Sequence, residues 1–378
     1  MATFETSLKS RLIYVFAIPD EWHKDCLKVG ETTLEEDDGN FPLPNSEVLN
    51  KAACDRIDQY TKTAGIAYNL LHTEMTVFFK GGTISSFNDK QVHSVLERSG
   101  VKKKTFDTVK GANEWFCCDL ETVKKAIHAV KNGRNSLNAS DISYTQTPII
   151  FRPEQQAAID KTKKQFKKGA QMLWNAKMRF GKTLCALRVA RDLEMRRTII
   201  LTHRPVVDES WFEDFGKIFY DRTDYHYGSR TKGEDFTSLE RLAKKGDRYV
   251  YFASMQDMRG AQLVGGKFDK NNEVFSTDWD FLIVDEAHEG TRTELGESVI
   301  KELTKANTKV LKLSGTPFNL LDDYTEEETY TWDYTMEQRA KTEWDLLHMG
   351  DPNPYASLPA INIYTYDLGA LMNDYSED

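Results

Sequence analysis

"LWNAKMRFGKTLCALRVA", residues 173–190, decides the fold. An apolar run ending at Ala176 stops at a basic, glycine-containing loop, and Lys182-Thr183 opens a stretch whose apolar residues recur at helical spacing. A strand, a short loop and a helix in this order present backbone N–H groups and a helix N-terminus to an anion. Gly181 lets the backbone approach a phosphate, Lys182 reaches towards β and γ phosphates, and the Thr183 hydroxyl is placed for Mg²⁺. Ala176 stands where the strict glycine-rich pattern has Gly, and its methyl is small enough to be tolerated. Arg179 is a further cation of this stretch and a candidate for the nucleotide.

From residue 151 onward, continuous apolar runs ("QMLWNA", "RTIILTH", "RYVYFAS", "DFLIVDE", "KVLKLSG") alternate with helix-like segments. Strands of this kind between helices predict a parallel sheet covered on both faces. "DFLIVDEAHEG" puts Asp285 and Glu286 at the C-terminal end of its strand, where a doubly wound sheet places its chemistry. Asp285 is the candidate holder of Mg²⁺, and Glu286 the candidate for orienting an attacking water. "GAQLVGGKFDKNNEVFST" reads as a surface loop. After "LSGTPFN" the composition turns acidic and aromatic, with no further parallel-sheet unit expected.

The chain has 378 residues, 40% hydrophobic and 29% charged, enough to bury the cores of two or three domains. A net charge of −9 excludes a globally basic nucleic-acid binder, so such contacts must be local. Two basic stretches, 101–110 and 161–169, read equally as binding patches or solvated faces. Cys26, Cys54, Cys117, Cys118 and Cys185 form no CxxC pair and no Cys/His ligand spacing. That predicts neither zinc nor a disulfide framework, and fits a cytoplasmic protein. The short run "LIYVFAI" fits neither a signal core nor a membrane span.

The first part of the chain has a different rhythm. "RLIYVFAIP" and "CLKVGETT" read as neighbouring strands, and "NSEVLNKAACDRIDQYTKT" as a helix capped by Asn45 or Ser46. "YNLLHTEMTVFF" reads as a third strand, "NDKQVHSVLER" and "LETVKKAIHAVKNG" as helices, the latter stopped at Gly133. The expected division is 10–132 for a small α/β domain, 133–148 for a linker, 149–322 for the sheet domain, and 323–378 for an extension.

Six elements in order make residues 151–320 resemble the first RecA-like domain of a superfamily 2 helicase, in the branch of type III restriction enzymes. "FRPEQQAA" resembles its RPxQ element, which implies that Gln155 recognises adenine. "AKMRFGKT" resembles motif I and "DEAH", with His288, motif II. "LTHRPVVDESW" resembles motif Ia, "FASMQDM" a neighbouring nucleic-acid motif, and "LSGTP" motif III. The resemblance implies ATP and Mg²⁺ as cofactors and assigns coupling to His288, Ser314 and Thr316. It turns Arg204, Ser254 and Gln256 towards a nucleic-acid strand, DNA or RNA. Nothing after 330 resembles motifs V and VI. A second RecA-like domain, in a longer chain or a partner subunit, is therefore expected for full turnover, since an arginine finger is worth roughly 10³–10⁵ in rate.

"LIYVFAIP", "LKVGETT", "RIDQY", "DKQVH" and "EWF" resemble the GIY-YIG nuclease superfamily over residues 10–130. Tyr14 falls at the first tyrosine, Lys28 where the second would be, and Arg56 at the helix arginine that steadies the scissile phosphate. Asp89 aligns best with the metal-binding acid, four residues before His93. The fold class implied is a small α/β GIY-YIG-like domain followed by a RecA-like P-loop sheet with helices on both faces. The function implied is an ATP-dependent helicase or translocase with an endonuclease module, in DNA restriction or phage–host conflict. A non-catalytic ATP- and DNA-binding protein with a degenerate nuclease module is the alternative. A small-molecule kinase is disfavoured, because kinases have no use for "DEAH" and "LSGTP".

Overall fold

A computed structural model describes residues 10–34, 41–106, 114–141, 149–203, 205–287, 294–316 and 320–359. β1 (Arg11–Ala17) and β2 (Leu27–Thr33) pair antiparallel with Tyr14 opposite Gly30. α1 (Glu47–Thr61) follows, and β3 (Asn69–Met75) joins the other edge of β1. β4 (Val77–Lys80) and β5 (Thr83–Ser86) form a separate hairpin that turns at Gly81 and Gly82, both at positive φ. α2 (Asp89–Arg98), β6 (Trp115–Phe116) and α3 (Leu120–Lys131) complete the module, with sheet order β3-β1-β2-β6.

Alternation along the strands divides this module into two cores. Leu12, Tyr14 and Phe16 pack with Leu49, Ala53 and Ile57 of α1. Ile13, Val15 and Val29 face the opposite way, onto α2 and α3. The single third strand expected over "YNLLHTEMTVFF" is broken at Thr76. There the backbone N–H and the hydroxyl both donate to the Arg11 carbonyl, at 2.9 and 3.0 Å, so the ladder ends and the chain turns away.

The second sheet is built from α4 (Pro153–Gln165), β7 (Gln171–Ala176), α5 (Lys182–Asp192), β8 (Arg197–Thr202), α6 (Asp208–Phe219), β9 (Tyr225–Gly228), α7 (Phe236–Ala243), β10 (Arg248–Ser254), α8 (Met255–Arg259), α9 (Asn272–Ser276), β11 (Phe281–Asp285), α10 (Glu294–Leu303), β12 (Lys309–Ser314), β13 (Thr329–Trp332) and α11 (Tyr334–Leu347). Its seven strands run in the order β13-β7-β12-β11-β8-β10-β9, every neighbouring pair parallel. α4, α5 and α6 cover one face, and α7 to α10 the other. This is the RecA-like arrangement expected.

Three expectations change. β13 is an edge strand beside β7, with Tyr330 and Trp332 packed on the core, so the sheet domain runs past residue 322. The stretch 260–277 is not a bare loop: it holds α9 and buries Ala261, Val264, Val274 and Phe275. Residues 134–141 are no loose tether either: the buried Ser136 N–H donates to Glu234 of the second domain at 3.3 Å, and Leu137 packs in the core of the first module. All five cysteines are free thiols, with Cys26 Sγ 3.1 Å from Cys117 Sγ. No helix of the described residues is long and apolar enough to cross a membrane.

Candidate nucleotide and nucleic-acid sites

The loop 177–181 leaves β7 at Ala176, which is fully buried, and enters α5 at Lys182. Arg179 and Gly181 both take positive φ, 65° and 90°. At Gly181 a Cβ would lie 2.6 Å from Gln155 Nε2, so glycine is required by both conformation and space. Lys182 Nζ donates to the Ala176 carbonyl at 2.8 Å and to Lys177 O at 3.4 Å. The ammonium is thus held over the loop. Burial lowers the Lys182 pKa, and the carboxylates of Glu286 and Asp285 oppose that shift.

Those carboxylates end β11, between β8 and β12. Burial and the neighbouring Glu286 raise the Asp285 pKa, while Lys182 and a hydrogen bond from Trp211 pull it down. Asp285 Oδ1 accepts the Glu286 N–H at 3.0 Å, and Oδ2 accepts Trp211 Nε1–H at 3.4 Å. Glu286 sits at φ 50°, a strained position for a residue with a side chain. Gly315 closes the group: its Cβ position is 3.9 Å from Lys182 Nζ. The Thr316 N–H donates to Ser314 Oγ at 3.2 Å. The Ala287 N–H donates to Leu313 O at 2.9 Å, tying the end of β11 to β12. Thr183 lies in the first turn of α5, half-buried. A cradle that a Cβ would fill, one ammonium, one hydroxyl and two acids fit a nucleoside triphosphate with Mg²⁺.

Gln155, the residue assigned to adenine, lies beside the phosphate loop. Its Nε2 donates to Phe180 O at 2.6 Å and its Oε1 accepts the Arg152 N–H at 2.8 Å, so the amide clamps the start of α4 to the phosphate loop. Sequence reasoning missed a second clamp. The Lys177 N–H donates to Trp332 O at 3.0 Å, and Lys177 Nζ pairs with fully buried Glu337 of α11. It also missed Trp211, a partner 74 residues from Asp285, for which no local pattern gives a signal.

At the end of β10, Ser254 caps α8 by accepting the Asp257 N–H at 3.1 Å, and Gln256 is exposed beside it. An open cleft there is lined by Pro205, Asp208, Arg230, Ser254, Gln256 and Lys270. Arg204, His288 and Pro317 lie outside the described residues.

In the N-terminal module, Tyr14, Arg56 and Tyr60 meet on the α1 face. Burial pushes the Tyr14 phenol up, against hydrogen bonds from Tyr60 and Arg56. Lys28 Nζ sits 4.6 Å from the Tyr60 ring centre and 3.4 Å from Glu114, and Glu114 acts electrostatically on both tyrosines. Asp89 is not brought to this cleft. Its N–H donates to Glu31 Oε2 at 3.3 Å, on the α2 face, because Glu31 and Gly30 are successive strand residues pointing opposite ways. Glu74 also faces elsewhere, paired with Lys131. His93 is buried with Nε2 2.8 Å from Val29 O, a satisfied core residue. Among the described residues no three His, Cys, Asp or Glu side chains converge as metal ligands. The acid that does share the cleft is Glu114, and the spacing of Arg56 and Tyr60, one helical turn apart, was the available signal.

Gly30 underlies this cleft, with its Cβ position 2.6 Å from the Tyr14 hydroxyl. Gly30→Ala is expected to displace the ring and to cost about 1–3 kcal/mol. Thermal unfolding measures the loss, and an unchanged midpoint would contradict the packing described.

Residues 148–319 match the family described as type III restriction enzyme, res subunit. This matched segment, a little under half of the chain, is similar to a restriction-enzyme res domain. A curated relative, the C-terminus of a "Putative type II restriction enzyme and methyltransferase" of Mycoplasma pneumoniae, is 26% identical over 272 residues, covering 60% of this chain and 37% of that relative's length. Among solved structures, the Sulfolobus solfataricus SWI2/SNF2 ATPase core in complex with dsDNA is similar at 16% identity and TM-score 0.35, covering 49% of this chain and 36% of that one. The UvsW helicase from bacteriophage T4 is similar at 14% identity and TM-score 0.35, covering 56% and 77%. The matched segment contains the phosphate loop, both acids and helices α6 and α8.

Proposed function

We propose that the res-type domain is an ATP-driven motor acting on DNA, in restriction or phage–host conflict, and that the N-terminal module is a GIY-YIG-type endonuclease. The observation that carries the motor reading is Lys182. Its ammonium lies over the loop carbonyls and within the field of Asp285 and Glu286, so one cation serves both the phosphate cradle and the acids. Bound Mg²⁺ would supply charge neutralisation to the β and γ phosphates, with Asp285 and Thr183 holding it. Lys182 steadies the same phosphates, Arg179 adds charge at the loop's rim, and Glu286 orients water. Gly315 and Thr316, next to Lys182 and behind Ser314, are suited to relay the state of the site to the nucleic-acid side. ATP turnover by the full chain that is stimulated by DNA tests the reading, and no binding of ATP would end it.

For the module, the support is the cluster of Tyr14, Tyr60, Arg56, Lys28 and Glu114 on one sheet face. Two cations and the Tyr14 hydroxyl, held by Tyr60, suit a phosphodiester, and Glu114 takes the place considered for Asp89. The full chain is expected to nick plasmid DNA with Mg²⁺ or Mn²⁺ in the absence of ATP. Arg56→Ala should slow nicking by roughly 10²–10³, the effect of removing one preorganised donor. Asp89→Ala should leave it intact. Nicking lost in Asp89→Ala and kept in Glu114→Gln would reverse the assignment of the acid.

A further inference from the structure

We propose that the N-terminal module is a fixed part of the wall that holds nucleic acid in the motor's cleft: Arg98 sets the position of the loop 229–233, and Arg230 on that loop grips a backbone phosphate. This rests on the reading of the cleft as a nucleic-acid site.

Arg98 ends α2 and reaches across to the motor. Its Nε donates to Gly233 O at 2.6 Å, Nη1 to Arg230 O at 3.0 Å, and Nη2 to Ser229 O at 3.0 Å and Lys232 O at 3.4 Å. In return the Gly233 N–H donates to Arg98 O at 2.8 Å. A planar guanidinium with fixed donors is suited to this, and an ammonium is not. Gly233 takes φ 62°, and a Cβ there would lie 2.1 Å from Tyr227 O, so the loop has one shape at that point. Two more contacts fix the docking. Glu234, almost fully buried, accepts Arg134 Nε at 3.1 Å and the Asn135 N–H at 2.9 Å. Gly100 lies against the Phe212 ring of α6.

The other side of the loop faces the cleft. Ser229 and Thr231 hydroxyls donate to Asp208 Oδ2 at 2.7 and 2.6 Å, which ties the loop to the first turn of α6. Arg230 Nη1 donates to Asp257 Oδ1 at 3.2 Å, and Lys270 Nζ reaches the same oxygen at 2.7 Å. The loop thus joins α6 and α8, the two helices whose neighbourhoods the sequence turned towards a strand. Asp257 between two cations leaves that trio with a net positive charge. The Arg230 side chain is 78% exposed, so its ion pair is worth little and exchanges readily for a phosphate. Arg98 is committed behind the loop, with four of its five N–H donors on the loop carbonyls.

Binding of a short fluorescein-labelled DNA duplex to the full chain, read by anisotropy across a salt series, tests this. Arg230→Gln is expected to weaken binding roughly tenfold and to reduce the slope of log K against log salt by about 1, one phosphate contact. Arg98→Met is expected to weaken it by a similar factor while Mg²⁺-ATP affinity stays at the wild-type value. The double variant should bind no more weakly than Arg230→Gln alone, since both changes remove one contact. Where Arg98→Met lowers the melting midpoint enough to obscure binding, Arg98→Lys carries the same expectation, its ammonium being unable to span the four carbonyls. Wild-type affinity in the folded Arg98 variant, or losses that add in the double variant, would overturn the proposal. Wild-type protein that binds no duplex at any salt would instead bring down the reading of the cleft, and the proposal with it.

Discussion

Lys182→Ala is expected to weaken Mg²⁺-ATP binding by about 1.5–3 kcal/mol, the worth of a charge-assisted hydrogen bond, or roughly ten- to a hundredfold in Kd. The residue contributes in two ways. Its ammonium, at the start of α5, lies over the loop carbonyls, and it sits in the field of Asp285 and Glu286. Alanine leaves two half-buried carboxylates without their nearby cation beside an incoming polyphosphate. Repulsion therefore adds to the lost attraction. Lys182→Met keeps the apolar stem of the side chain and should show the same loss, which separates charge from packing. Fluorescent nucleotide titration measures both, and a Kd within twofold of wild type in either variant would contradict the role given to this side chain.

Glu286→Gln is expected to separate binding from turnover. Asp285 remains as the metal-holding acid, and its Oδ1 still receives the residue 286 backbone N–H. Nucleotide affinity should therefore stay close to wild type or rise, because one negative charge next to Lys182 and Asp285 is gone. Turnover should fall by at least about 10², the usual worth of a positioned proton acceptor. Phosphate release with and without DNA measures the effect. Turnover above a tenth of the wild-type rate would show that Glu286 does not orient the water.

The sheet domain was legible in the sequence because its central strands are long, apolar and buried on both faces. β7, β8, β10, β11 and β12 all lie where the apolar runs predicted them. The strands that were missed are short edges. β9 covers four residues of Tyr, His and Gly, and β13 sits in an acidic stretch whose Tyr330 and Trp332 are recruited by packing on β7. α9 escaped for a similar reason, since five residues are too few to show a helical period.

The phosphate loop and the two acids were legible because their chemistry is local: three or four residues in a fixed order. What surrounds them was not. Trp211 on Asp285, Gln155 on the loop and Glu337 on Lys177 are contacts across long sequence separations. In the N-terminal module the same limit produced an error of face. Asp89 has the right charge and a plausible helical position, yet the face of β2 it approaches is Glu31's, opposite to that of Gly30 and Tyr14. Only the strand register tells the two faces apart.

Calorimetric titration of Mg²⁺-ATP into the full chain, its Lys182→Ala variant and its Glu286→Gln variant tests the motor site most directly. One site per chain in wild type, lost or strongly weakened in Lys182→Ala and retained in Glu286→Gln, is the predicted result. Equal binding by wild type and Lys182→Ala, or no binding by wild type, would contradict a nucleotide site at this loop.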